Sequence, residues 1–71
     1  MIYYIYSDYA FDDERLSELF PGEKFVTDKA TKQQCQKLVK LGMAVSYKTM
    51  ADFEIAFNEG YISDQGAIRT F

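Results

Sequence analysis

The chain has 71 residues, of which 48% are hydrophobic, 17% aromatic and 27% charged. That length confines it to one domain, and the apolar content excludes a disordered polymer. The absence of histidine removes the usual neutral-pH acid/base and zinc nitrogen ligand, a single cysteine excludes an intrachain disulfide, and a formal charge of −3 disfavours general attraction to phosphate polymers.

Residues 2–7 read as the first strand. Ile2, Tyr4 and Tyr6 alternate with Tyr3, Ile5 and Ser7, and β-branched and aromatic types suit a strand throughout. Apolar groups on both sides predict a central strand covered on each face, and Asp8 ends the run. Asp12 then offers an N-cap, with Phe11 placed to staple onto Leu16 and with Asp13 and Glu14 in the first turn, where negative charge suits the helix dipole. Leu16, Leu19 and Phe20 form the stripe of this short helix, and Pro21-Gly22 stops it. The pair Phe25-Val26 is short but sufficient for an edge strand within 23–27, guarded against self-pairing by Lys24 and Lys29.

The strongest local signal follows. Thr31 and Gln34 have capping-box spacing, Cys35, Leu38 and Val39 recur at i, i+3 and i+4, and Gly42 continues that line as the expected left-handed C′ residue. Cys35 is thereby expected to be a small buried hydrophobe. Gln33, Gln36, Lys37 and Lys40 face away, and Leu41 falls outside the stripe. Met43, Val45 and Tyr47 then alternate with Ala44, Ser46 and Lys48, predicting a strand with one apolar face. Thr49 caps a third helix with Asp52 at N3. Met50, Phe53, Ala56 and Phe57 share one face, Ile55 lies outside it beside Ala51, and the helix ends near Asn58 before Gly60. Tyr61-Ile62 and 67–71 read as two very short strands around a turn at 63–66, with Ile68 and Thr70 on one face and Ala67, Arg69 and Phe71 on the other. The terminal Phe71 is expected to hold the chain end in place.

These elements predict an α+β fold: a small three- to four-stranded sheet with two or three helices packed mainly on one face, since the strands are too brief for a doubly wound arrangement. A helical bundle with ribbon-like strands is the alternative. Strand order is not encoded locally.

For function, Asp12, Asp13 and Glu14 look superficially like hard-cation ligands, but helix-start preference explains them and no calcium-loop spacing accompanies them. Asp52 and Glu59 are two helical turns apart, and no phosphate loop or nucleophile elbow is present. The expectation is therefore a protein with no enzyme activity and no cofactor: a small interaction module, an adaptor or inhibitor of the kind a phage or mobile element could carry. Its candidate contacts are Tyr3, Tyr6, Tyr9, Tyr47 and Ile55, because tyrosine offers a rigid ring with one polar handle, with Lys37 and Lys40 or the acidic first helix supplying steering. The partner expected is a protein, and marginal stability at this size is also compatible with a homodimer. The alternative is weak nucleic-acid binding through Lys29, Lys32, Gln33, Gln36, Lys37 and Lys40. The opening residues lack a basic signal-peptide region and no apolar run approaches membrane-spanning length, so a cytoplasmic protein without membrane contact is expected. Charge is segregated along the chain: residues 1–23 carry −5, residues 24–48 carry +5 and residues 49–71 carry −3. Such blocks either attract one another within the fold or leave a bipolar surface.

Overall fold

The computed structural model describes residues 1–6, 8, 12–63 and 66–70, with Thr70 described in its backbone. The elements in order are β1 (Ile2–Ile5), α1 (Asp13–Leu19), a 3-10 turn (Thr27–Lys29), α2 (Lys32–Lys40), β2 (Ala44–Tyr47), α3 (Met50–Asn58) and β3 (Ala67–Thr70). β1 is the middle strand of a three-stranded sheet ordered β2-β1-β3, antiparallel to both neighbours. The expected α+β class is what the chain forms: a small antiparallel sheet with three helices packed against it.

The register assigns every strand residue to a face. Tyr4 lies opposite Val45 on one side and Ile68 on the other, while Ile5 lies opposite Ala44 and Ala67. Since side chains alternate along a strand, Ile2 and Tyr4 point to one face and Tyr3 and Ile5 to the other. All four are buried, and they belong to different cores. Ile5 packs with Leu16, Phe20, Leu38 and Met43 from α1, α2 and the turn after α2, and Tyr3 packs with Ala30 and Cys35. Ile2 and Tyr4 pack with Phe53, Ala56 and Ile62 from α3 and the segment beyond it. Two helices therefore share one face and the third covers the opposite face. Packing of the helices mainly on one face is the arrangement expected, and the third helix answers the two-sided apolar pattern of β1, whose other half would otherwise forfeit about 1.5–3 kcal/mol for each large side chain.

The helix ends follow from local chemistry. Gln34 N–H donates to Thr31 Oγ1 at 3.1 Å and Thr31 N–H donates to Gln34 Oε1 at 3.0 Å, completing the capping box. Asp12 and Thr49 cap α1 and α3 by accepting from Arg15 N–H at 3.1 Å and Asp52 N–H at 3.2 Å. α2 and α3 close with the same device. Gly42 and Gly60 have φ of +77° and +81°, and the next residue donates five positions back: Met43 N–H to Leu38 O at 2.8 Å, Tyr61 N–H to Ala56 O at 3.0 Å. This left-handed closure is inexpensive only for glycine.

Several local expectations are corrected. Residues 23–26 form no strand: Phe25 stacks on Phe20 with ring centroids 5.0 Å apart, and the chain then enters the 3-10 turn. Met43 precedes β2 and joins the α1–α2 core, so it does not share a face with Val45 and Tyr47, which pack on the α3 side. Tyr61-Ile62 is not a strand, and β3 pairs with β1 rather than with a hairpin neighbour. On α3 only Phe53 and Ala56 are buried, whereas Met50 and Phe57 are exposed. Phe11 and Phe71, and the turn residues Asp64 and Gln65, lie outside the described residues.

Candidate functional site

The site is built where the end of β1 meets the end of α3. The glycine closure at Gly60 reverses the chain so that Tyr61 is turned outward, 72% exposed, while Ile62 enters the core. Ser63 then returns to β1: its N–H donates to the Tyr4 hydroxyl at 3.1 Å, and its Oγ lies 2.9 Å from the same oxygen. Tyr4 is thereby fixed at its phenolic end. Gly66 is required beneath the ring, because a Cβ there would fall 2.1 Å from Tyr4 Cζ. Tyr6 meets Tyr4 edge to face at 5.8 Å and 83°, a geometry favoured by the ring quadrupoles. Together these residues border an open groove of about 260 Å³, lined by Tyr4 of β1, by Tyr6 and Asp8 just beyond that strand, and from the turn after α3 by Gly60, Tyr61, Ile62 and Ser63.

Beside the groove, α3 exposes apolar side chains on both flanks of its buried stripe, Met50 and Phe57 on one and Ile55 on the other, with Glu54 and Asn58 between them. Met50, Ile55 and Phe57 are 53%, 56% and 45% exposed, although a helix with a single core face would carry polar groups at such positions. Asp52, Glu54 and Glu59 are the charged residues of α3 and its C-cap, and all are exposed acids. Lys48 stands before the N-terminal end of this helix, away from the groove.

The residues singled out from sequence are dispersed. Tyr3 is buried against Ala30 and Cys35, which corrects its assignment as a contact: its position on the α2 face of the central strand leaves no ring surface to offer. Tyr47 is half-buried, edge to face with Phe53 at 5.9 Å and 87°, and burial, followed by the nearby Tyr6 and Tyr4 hydroxyls, pushes its phenol pKa up. Tyr6 lines the groove and Ile55 is exposed on α3. Tyr9 lies outside the described residues. Lys37 folds back onto α1, donating to the Leu19 carbonyl and lying 5.1 Å from the Phe20 ring centroid. It thus satisfies the negative end of the α1 dipole and is tied into the fold as well as exposed. Lys29, Lys32, Gln33, Gln36 and Lys40 are exposed, with Lys40 on the opposite face of the sheet from the groove.

Sequence reading missed Asp8, Tyr61 and Ser63 as members of one site. Their only local signal was a tyrosine placed immediately after a helix-stopping glycine, and about 55 residues separate the two walls of the groove. It also missed Arg69. This residue is 7% exposed, and its Nη1 donates to the Ile68 carbonyl while Nε and Nη2 have no hydrogen-bond partner among the described residues. Burial lowers its pKa, against the opposing pull of Asp28 and Cys35. Burial likewise raises the pKa of the Cys35 thiol, with Arg69 acting in the other direction.

Among the described residues no three His, Cys, Asp or Glu side chains converge as metal ligands, and no helix is long and apolar enough to cross a membrane. The chain is a layered α+β domain with a tyrosine-walled groove. Comparison with protein-family models, curated proteins and solved structures finds no match for it.

Proposed function

We propose that this domain is a non-catalytic protein-interaction module, acting as an adaptor or inhibitor, and that it meets its partner through the outward side of α3 and the groove at its C-terminal end. The observation that carries the reading is the exposed apolar surface there: Met50 and Phe57 on one flank of α3 and Ile55 on the other, followed by Tyr61. Exposed aliphatic and aromatic groups lose free energy in water and gain it in a desolvated contact, and such groups rimmed by acids have the make-up of an interface core with a polar edge. A chain without histidine, whose one thiol is buried and carries a raised pKa, offers little for neutral-pH proton transfer or nucleophilic attack. The nucleic-acid reading is less well supported, because Lys37 is engaged with α1.

The test is affinity capture from native lysate with and without nuclease treatment, comparing the unmodified chain with Met50→Gln/Ile55→Gln and with Lys32→Glu/Lys40→Glu. All four sites are exposed, so the fold should be retained. A stoichiometric protein partner held by the unmodified chain and by the lysine variant, and lost with the α3 variant, is the expected result. Retention by the α3 variant, or recovery of nucleic acid alone before nuclease, would overturn the reading.

A further inference from the structure

We infer that the groove between Tyr6 and Tyr61 is a receptor for an arginine side chain presented by the partner protein. The inference rests on the α3 side being the contact surface and names what the partner places there.

The chemistry of the walls selects the ligand. Tyr6 and Tyr61 bring two accessible phenol rings to one groove over the buried Tyr4, with the Asp8 carboxylate as the charged group among the described lining residues. Ring faces carry negative quadrupole potential, so a cation gains from the rings and from the carboxylate together, whereas an anion meets repulsion from both. The surroundings have the same sign. Glu59 precedes the groove-forming turn, Asp52 and Glu54 lie along α3, and the nearest lysine in sequence on that side, Lys48, stands before the far end of the helix. A nine-residue helix is about 13 Å long, which exceeds the screening length of roughly 8–10 Å at ordinary salt. The field at the groove is therefore set by acids.

Geometry distinguishes guanidinium from ammonium. A guanidinium is planar, stacks on an aromatic ring and keeps its edge donors free for a carboxylate, while an ammonium acts as a compact, strongly hydrated point charge. Here rings and a carboxylate occur together in a groove of about 260 Å³, ample for one such side chain. The floor is also preorganised. Tyr4 is 2% exposed, pinned by Ser63 at 2.9 and 3.1 Å and backed by Gly66, so this wall need not be ordered when the ligand arrives.

The test is NMR titration of the intact chain with three capped tripeptides, Gly-Arg-Gly, Gly-Lys-Gly and Gly-citrulline-Gly. Citrulline keeps the shape and planarity of arginine and removes its charge. We expect millimolar binding of the arginine peptide, with shift changes centred on Tyr6, Tyr61 and Ser63. The lysine peptide should bind a few-fold more weakly and the citrulline peptide about tenfold more weakly. Asp8→Asn and Tyr61→Ala, both at exposed positions, should each weaken arginine binding by about three- to tenfold while leaving the remaining spectrum in place. Equal binding of citrulline, shifts centred on the acidic α1 helix, or no saturable shift would overturn the inference. The titration needs no partner, so its failure removes the arginine anchor alone, whereas loss of specificity in the capture experiment removes the contact surface itself.

Discussion

A buried thiol and a buried guanidinium lie near each other on the α2 side of the sheet, and their consequences differ. Cys35 is fully buried beside Tyr3 and Ala30, and reaction requires an accessible thiolate. Labelling by an aromatic disulfide reagent should therefore be slow under native conditions and stoichiometric only after unfolding; rapid native labelling would contradict the placement. The same burial has a pH signature. The thiol pKa is raised on folding, so the protonated form is favoured in the native state. The associated stability is complete below the unfolded thiol's pKa and is lost as pH rises through that value toward the folded one. Unfolding in urea across the alkaline range should show this loss in the parent chain and not in Cys35→Ala, apart from the loss contributed by Tyr47, whose pKa is raised in the same sense. Arg69 contributes in the opposite way. With one backbone acceptor and two nitrogens that have no partner among the described residues, its charge is desolvated more than it is compensated, and a charge in that condition opposes folding. Its positive field nevertheless draws the Cys35 pKa partly back down, which couples the two groups across the α2 face of the sheet.

At the scale of elements, the two cores give a graded expectation. Leu38 is fully buried between α2 and the sheet, and Phe53 is 7% exposed beneath α3. Truncating either to alanine should cost about 2–5 kcal/mol, from lost transfer energy and an incompletely collapsed cavity. Ile55→Ala, at an exposed position on the same helix as Phe53, should stay within about 0.5 kcal/mol. Equilibrium urea unfolding decides this, and losses below about 1 kcal/mol at both core sites would show the helix faces to be misassigned. These faces were legible in sequence wherever the cause was local. The Thr31–Gln34 box, the Cys35–Leu38 spacing and the stops at Gly42 and Gly60 depend on residues within two turns of one another. The two-sided apolarity of Ile2–Ile5 likewise indicated a strand covered twice. The rest depends on what the tertiary fold leaves for each residue to pack against. Phe25 was drawn from a possible strand onto Phe20, and Met43 turned toward Leu38 because the glycine closure carried it there. Met50 and Phe57 shared Phe53's periodicity but fall outside the area that β1 and β2 present to α3. The groove was invisible for the same reason, since only the antiparallel return of β3 beside β1 brings Ser63 to Tyr4.

For the molecule as a whole, the sheet divides the charge that the chain segregates. α2 bears Lys32, Lys37 and Lys40 and no acid, with the acidic α1 beside it, while α3 on the other face bears acids alone. Lys37 shows that part of the attraction between the first two blocks is used within the fold, since it closes the end of α1. Lys32 and Lys40 remain exposed, and the two binding classes assign them opposite roles. As phosphate contacts they would make Lys32→Glu/Lys40→Glu weaken nucleic-acid binding across all sequences and flatten its salt dependence. If instead the partner brings an arginine to the α3 side, the same lysines repel it from the wrong face, and replacing each +1 with −1 should raise the association rate severalfold at low salt. The dissociation rate should not change, because no docked contact is altered, and the gain should vanish near 1 M salt, where the screening length falls to about 3 Å. We expect no saturable binding to random DNA or RNA at about 0.15 M salt by the unmodified chain, and a faster on-rate for the variant with its protein partner in stopped-flow measurements. A slower on-rate would move the interface to α2, and micromolar nucleic-acid binding abolished by the double exchange would replace the protein-partner reading altogether.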